Sequence, residues 1–171
     1  HRIRRVDASG VITKVAGTGV AGFSGDFGPA GSAQINTPAG LGVAANGDLF
    51  LASVGDARVR QNLAGGGLVS GASTIQTITG TGGNGFSGDG GPATLAAVNQ
   101  VYDVLPMPSG RVLIADRQNG RIREIDVFGV IRTVVGNCGS AASLCGDGGL
   151  ASAPSAGVYH PTSLASDGAG G

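Results

Sequence analysis

Apolar residues fall in short blocks along this chain, and each block is closed by a glycine-rich joint. Leu49-Phe50-Leu51-Ala52 and Val112-Leu113-Ile114-Ala115 are apolar at every position. Successive side chains of a strand point to opposite faces, so each run predicts a strand buried on both sides, in a sheet that is itself covered on both sides. Asn46-Gly47 and Ser109-Gly110 stand just ahead of these runs and carry the residue types that a tight hairpin turn with positive φ needs. Four strand-like blocks fit one period, at residues 39–44, 48–52, 58–62 and 74–79.

The period itself is visible. Arg2-Ile3-Arg4, Arg58-Val59-Arg60 and Arg121-Ile122-Arg123 align, with steps of 56 and then 63 residues. A second signature follows each, starting at Ile12, Ile75 and Ile131. A third runs from Gly22 through Phe23, Ser24, Gly25 and Asp26 to Pro29-Ala30, and recurs from Gly85 to Pro92-Ala93. A worn copy spans residues 143–151. The fourth signature, Thr37-Pro38-Ala39-Gly40-Leu41, is echoed at residues 101–105 and at His160-Pro161-Thr162-Ser163-Leu164.

These residues resemble NHL repeats: Pro-x-Gly-(Leu/Val), then a Gly-(Asp/Asn)-Leu-(Phe/Tyr) strand ending in Ala-Asp, then Asn-x-Arg-Ile-Arg. The clearest copy is the stretch from Gly110 to Arg123. The Gly-Phe-Ser-Gly-Asp-Gly-Gly-Pro-Ala insert resembles a variant common in secreted multidomain proteins, including teneurin-like shells. The chain departs from the pattern at Ser53-Val54-Gly55, and at Pro106 and Pro108, which predict a strand end or a bulge because proline donates no ladder hydrogen bond. The resemblance implies an all-β chain, a β-propeller of four-stranded antiparallel blades, with about three blades of a six-bladed ring. Residues 1–36 would end one blade and carry its insert, 37–98 and 99–159 would each be a blade with its insert, and 160–171 would start a fourth. Part of a ring leaves apolar blade faces bare, so we expect further blades of the same protein, or another subunit, to cover them.

Composition sharpens this reading. The chain has 34 Gly and 7 Pro in 171 residues, as many tight turns require. Eleven basic residues balance eleven acidic ones, which argues against a nucleic-acid partner. Only Lys14 among the basic residues is not Arg, and Arg suits buried, bidentate pairing. There is no apolar run of about 20 residues to span a bilayer and no recognisable signal peptide. With no initiator Met, the chain reads as an excerpt of a longer protein.

Candidate chemistry is sparse. Gly17 to Gly22 and Gly80 to Gly85 both satisfy G-x-G-x-x-G, but Phe-Ser-Gly-Asp follows each where a dinucleotide site needs a helix, so both read as loops. Asp26, Asp89 and Asp147 occupy equivalent insert positions. They either hold their loops through backbone N–H groups or form a calcium site, for which one carboxylate per loop is thin; otherwise no cofactor is expected. Phe23, Phe86 and Leu144 read as anchors of the inserts. Asp116 and Arg123, near the ends of adjacent strands, read as an ion pair. Cys138 and Cys145 bracket the third insert and read as a disulfide, which implies an oxidising, extracellular location, with two free thiols as the alternative.

Propeller lyases of the NHL kind hold a metal with several His, whereas only His1 and His160 occur here, and no Ser lies on a nucleophile elbow. The sequence therefore predicts no enzyme, but a non-catalytic extracellular module for protein contacts or structural assembly. A glycan ligand is disfavoured by two Tyr and no Trp. The alternative is a propeller lyase or hydrolase whose active site lies on other blades.

Overall fold

In the computed structural model, residues 1–136, 150–151, 153 and 156–167 are described. The strands are β1 (Ile3–Val6), β2 (Ile12–Ala16), β3 (Gly28–Pro29), β4 (Pro38–Val43), β5 (Leu49–Ser53), β6 (Arg58–Asn62), β7 (Thr74–Thr79), β8 (Val101–Pro106), β9 (Val112–Asp116), β10 (Arg121–Ile125) and β11 (Ile131–Val135). They form a β1–β2 pair, a middle sheet in the order β3-β7-β6-β5-β4 and a last sheet in the order β11-β10-β9-β8. Every pairing is antiparallel. Among the described residues the only helical pieces are single 3-10 turns, such as Val54–Asp56 and Arg117–Asn119.

The local irregularities repeat with the sequence. The ladder slips at the same link of each Arg-x-Arg strand, at Ile3/Arg4, Val59/Arg60 and Ile122/Arg123. A left-handed residue precedes β4, β8 and the segment at 161–167: Thr37 at φ 50°, Gln100 at 52° and His160 at 46°. Such a conformation costs a non-glycine residue about 1–2 kcal/mol, so its recurrence marks a turn that each unit needs. Pro106 is the last residue of β8, paired with Val112, and the turn through Met107 to Gly110 begins there.

The sheets stack face to face. Along β5, Leu49 and Leu51 join one core with Ile3 and Val15 of the β1–β2 pair, Ile35 of the segment before β4 and Ile75 of β7. Phe50 and Ala52 join the other with Val104, Val112, Ile114 and Ile131 of the last sheet. Each fully buried large side chain contributes about 1.5–3 kcal/mol of transfer free energy, and β5 collects this on both faces. The innermost strands β4 and β8 touch backbone to backbone. A Cβ on Gly40 would lie 2.5 Å from Asp103 Cα, and one on Gly42 would lie 2.6 Å from the Val104 carbonyl oxygen, so no larger residue fits at either place.

Candidate functional site

The first two inserts are each tied down by an arginine from the Arg-x-Arg strand of the following sheet. Arg60 is fully buried and donates to the Gln34 carbonyl (2.9 Å), the Ser24 carbonyl (3.1 Å) and Asp26 Oδ1 (2.5 Å). Arg123, also fully buried, repeats this with the Ala97 carbonyl (2.9 Å), the Ser87 carbonyl (2.8 Å) and Asp89 Oδ1 (2.6 Å). A planar fork with fixed donors suits three acceptors on one loop, which Lys could not serve equally. Asp116 stands 3.7 Å from Arg123 Nη1, so the expected partner is within ion-pair reach but Asp89 is closer. Sequence reasoning missed Asp89 as the nearer partner because it precedes Arg123 by 34 residues. The available signal was that an insert Asp recurs wherever the second Arg does.

Burial works to raise the Asp89 carboxyl, yet the Thr133 and Arg123 hydrogen bonds and the Arg123 charge bring it below its ordinary value. Burial raises Asp116, against the pull of Asn119, the Asn99 amide and Arg123. Asp26 and Asp89 thus face guanidinium groups, and no group of three or more metal-ligating side chains gathers among the described residues. Asp147, Leu144, Cys138 and Cys145 lie outside the described residues.

Phe23 and Phe86 lie beneath arginines. The Arg58 guanidinium sits 3.6 Å from the Phe23 ring centroid, and that of Arg121 sits 4.0 Å from Phe86. Their relative exposures, 39% and 43%, make them half-covered lids under cationic groups. His1 Nδ1 accepts the Thr37 amide, and the His160 ring stacks on Tyr159.

Two open surfaces among the described residues bear on binding. A groove of about 660 Å³ between the middle and last sheets is lined by Phe27, Phe50, Gln61, Ile78 and Phe128. Phe27 and Phe128 stand 79% and 87% exposed on it. The sequence reading passed over both; the one hint was that Phe27 holds the place of Gly90 in the next insert. The second surface is the outer face of the last sheet, where Met107, Leu113, Ile122, Val134 and Val135 line a hollow of about 280 Å³. The register puts Leu113 opposite Glu124 as Phe50 is opposite Gln61, so this face matches the one that the middle sheet buries. Ser163 and Leu164 run beside it, both hydrogen-bonded to Asp103 Oδ2. No described helix is long and apolar enough to cross a membrane.

Stacked antiparallel sheets, recurring with one motif and pressed together along glycine-bearing inner strands, define a β-propeller-type repeat fold. No family model matches the chain. It is 41% identical to human and mouse teneurin-4 over 70 residues, a stretch that takes in 35% of this chain and 2% of teneurin-4. A Bacteroides thetaiotaomicron protein of unknown function shares the fold at a TM-score of 0.51 and 17% identity, over 77% of this chain and 29% of that one. A streptogramin B lyase matches at 0.48 and 13% identity, over 77% of this chain and 33% of the lyase. Virginiamycin B lyases of Staphylococcus aureus are also similar, at 12% and 13% identity. The expectation that the chain is no enzyme is corrected: lyases stand among the solved structures it is similar to. At such identities no residue role passes to this chain.

Proposed function

We propose that this chain is a blade-stacking arc of a larger, six-bladed NHL-type propeller in an extracellular protein, and that its own residues act by holding further blades or another protein subunit. The observation that carries this is the hollow on the outer face of the last sheet, where half-buried Leu113 holds the place that Phe50 holds on the face the middle sheet buries. The segment at 161–167 supports it, because it lies along Asp103 where an innermost strand of a further blade would run. A disulfide between Cys138 and Cys145 belongs to the same proposal; thiol titration of the unfolded, unreduced protein that finds two free thiols removes it.

Sedimentation of the chain against Leu113→Asp tests the reading. The parent is expected to self-associate through this outer face, and the variant to remain monomeric. A parent that is a stable monomer at high concentration overturns it.

The second reading is a propeller lyase or hydrolase whose reacting groups lie on other blades, in keeping with the lyases among the similar folds. Incubating the whole protein with quinupristin, the molecule named in one of those structures, checks one instance of it. A new product in the mass spectrum supports this instance, and an unchanged spectrum removes it.

A further inference from the structure

The turns that follow β5 and β9 differ by one exchange. After β9, Asn119 Nδ2 donates to Asp116 Oδ2 and to the Gly85 carbonyl, both at 2.8 Å. Asp116 Oδ1 accepts the Asn99 amide at 2.8 Å. In the middle sheet Ser53 takes the place of Asp116, and Asp56 takes the place of Asn119. Ser53 Oγ is engaged at the strand end, donating to the Asn36 carbonyl at 2.9 Å and accepting its amide at 3.3 Å. Asp56 is left 8% exposed, and neither of its carboxyl oxygens has a hydrogen-bond partner.

An ionised carboxylate can only accept, whereas this place in the next repeat is filled by a donor. Gly22 stands in the first insert where Gly85 stands in the second, so its carbonyl is the counterpart of the acceptor that Asn119 serves. A buried carboxylate without donors is costly, and only the protonated acid offers an O–H. We propose that Asp56 is a proton-operated latch: protonated, it donates to the first insert as Asn119 does to the second, and ionised, it releases that contact and loosens the β1–β2 side from the middle sheet.

The surroundings fit this role. Burial pushes the Asp56 pKa up, against Ser53 and the charges of Arg58 and Arg60. Arg60 is already paired with Asp26, and Arg58 is engaged by the Thr81 carbonyl at 2.8 Å and the Phe23 ring. From the segment packed on the turn come Asn36, whose Nδ2 donates to the Gly55 carbonyl, and His1, bound to the Thr37 amide. A folded-state pKa above the unfolded one gives stability that is present at low pH and lost as pH rises through the folded value. The latch does not depend on the stacking reading.

The test is urea unfolding of the full chain from about pH 4 to about pH 8, comparing the parent with Asp56→Asn and with the Ser53→Asp/Asp56→Asn pair that transplants the next repeat. The parent's unfolding constant is expected to rise by up to about tenfold per pH unit above the ordinary carboxyl range; Asp56→Asn is expected to lose the Asp56 share of that slope and keep the share of Asp116, while the pair, whose introduced acid stands where Asp116 stands in the next repeat, is expected to keep a slope. A slope of Asp56→Asn equal to the parent's overturns the proposal. Carboxyl carbon NMR of Asp56 in the parent needs no variant to fold. A midpoint above the 3.8 of a free Asp is expected, and one at or below it overturns the latch.

Discussion

The middle and last sheets are built on the same four strands, with the same ladder slip and the same buried arginine, yet they differ in what lies on their outer faces. Phe50 of the middle sheet is buried in the core shared with the last sheet, at the edge of the groove between them, whereas Leu113, its counterpart, is only half-buried in the outer hollow. The repeat motif therefore specifies the strands and their inner contacts, while the environment of a face depends on which neighbour is present. A side chain's value to stability follows from that neighbour and not from its place in the motif.

The sharpest way to break the comparison is to truncate both residues. Phe50→Ala should cost about 3–5 kcal/mol in urea unfolding, and Leu113→Ala only about 1 kcal/mol. Equal losses would mean that the two faces are equally covered. Next come the buried arginines, where the sheets should agree. Arg60→Met and Arg123→Met should each cost about 3 kcal/mol, because each strands an insert carboxylate and two carbonyls. A negligible effect in either would show that its insert is held by other contacts.

An acid titration comes third. The folded pKa of Asp89 lies below its unfolded value of 3.8, so its contribution is present above that value and lost as pH falls through the folded one. Asp89→Asn should flatten the acid limb of the parent's stability curve. The smallest effect is expected at the β10–β11 turn, where Asp126 Oδ1 accepts the Phe128 and Val130 amides. Asp126→Ala should cost about 1 kcal/mol, read by the same unfolding assay.

The strands were legible in the sequence because burial on both faces leaves an unbroken apolar run, and Leu49 to Ala52 is such a run. The strands of the middle unit fall within a residue or so of the blocks read from the pattern. The arginine ties were only half legible. Local spacing pointed Arg123 to Asp116, and the closer Asp89 comes from an insert whose path is set by glycines with no side chain to reveal it. Asp56 was legible only as one of several acids near the Arg-x-Arg strands, since a single acid near a turn usually faces water and only the repeat alignment shows it in the place of a donor.

The contact of Gly40 and Gly42 with β8 has a consequence for how the fold can drift. At that edge backbone meets backbone with no room for a Cβ, so the approach of successive sheets there is set by main-chain atoms that substitutions elsewhere do not alter. Outer seams can therefore exchange one aliphatic filling for another while the wedge angle of the stack stays fixed, much as the voussoirs of an arch keep their curve when only their outer faces are recut.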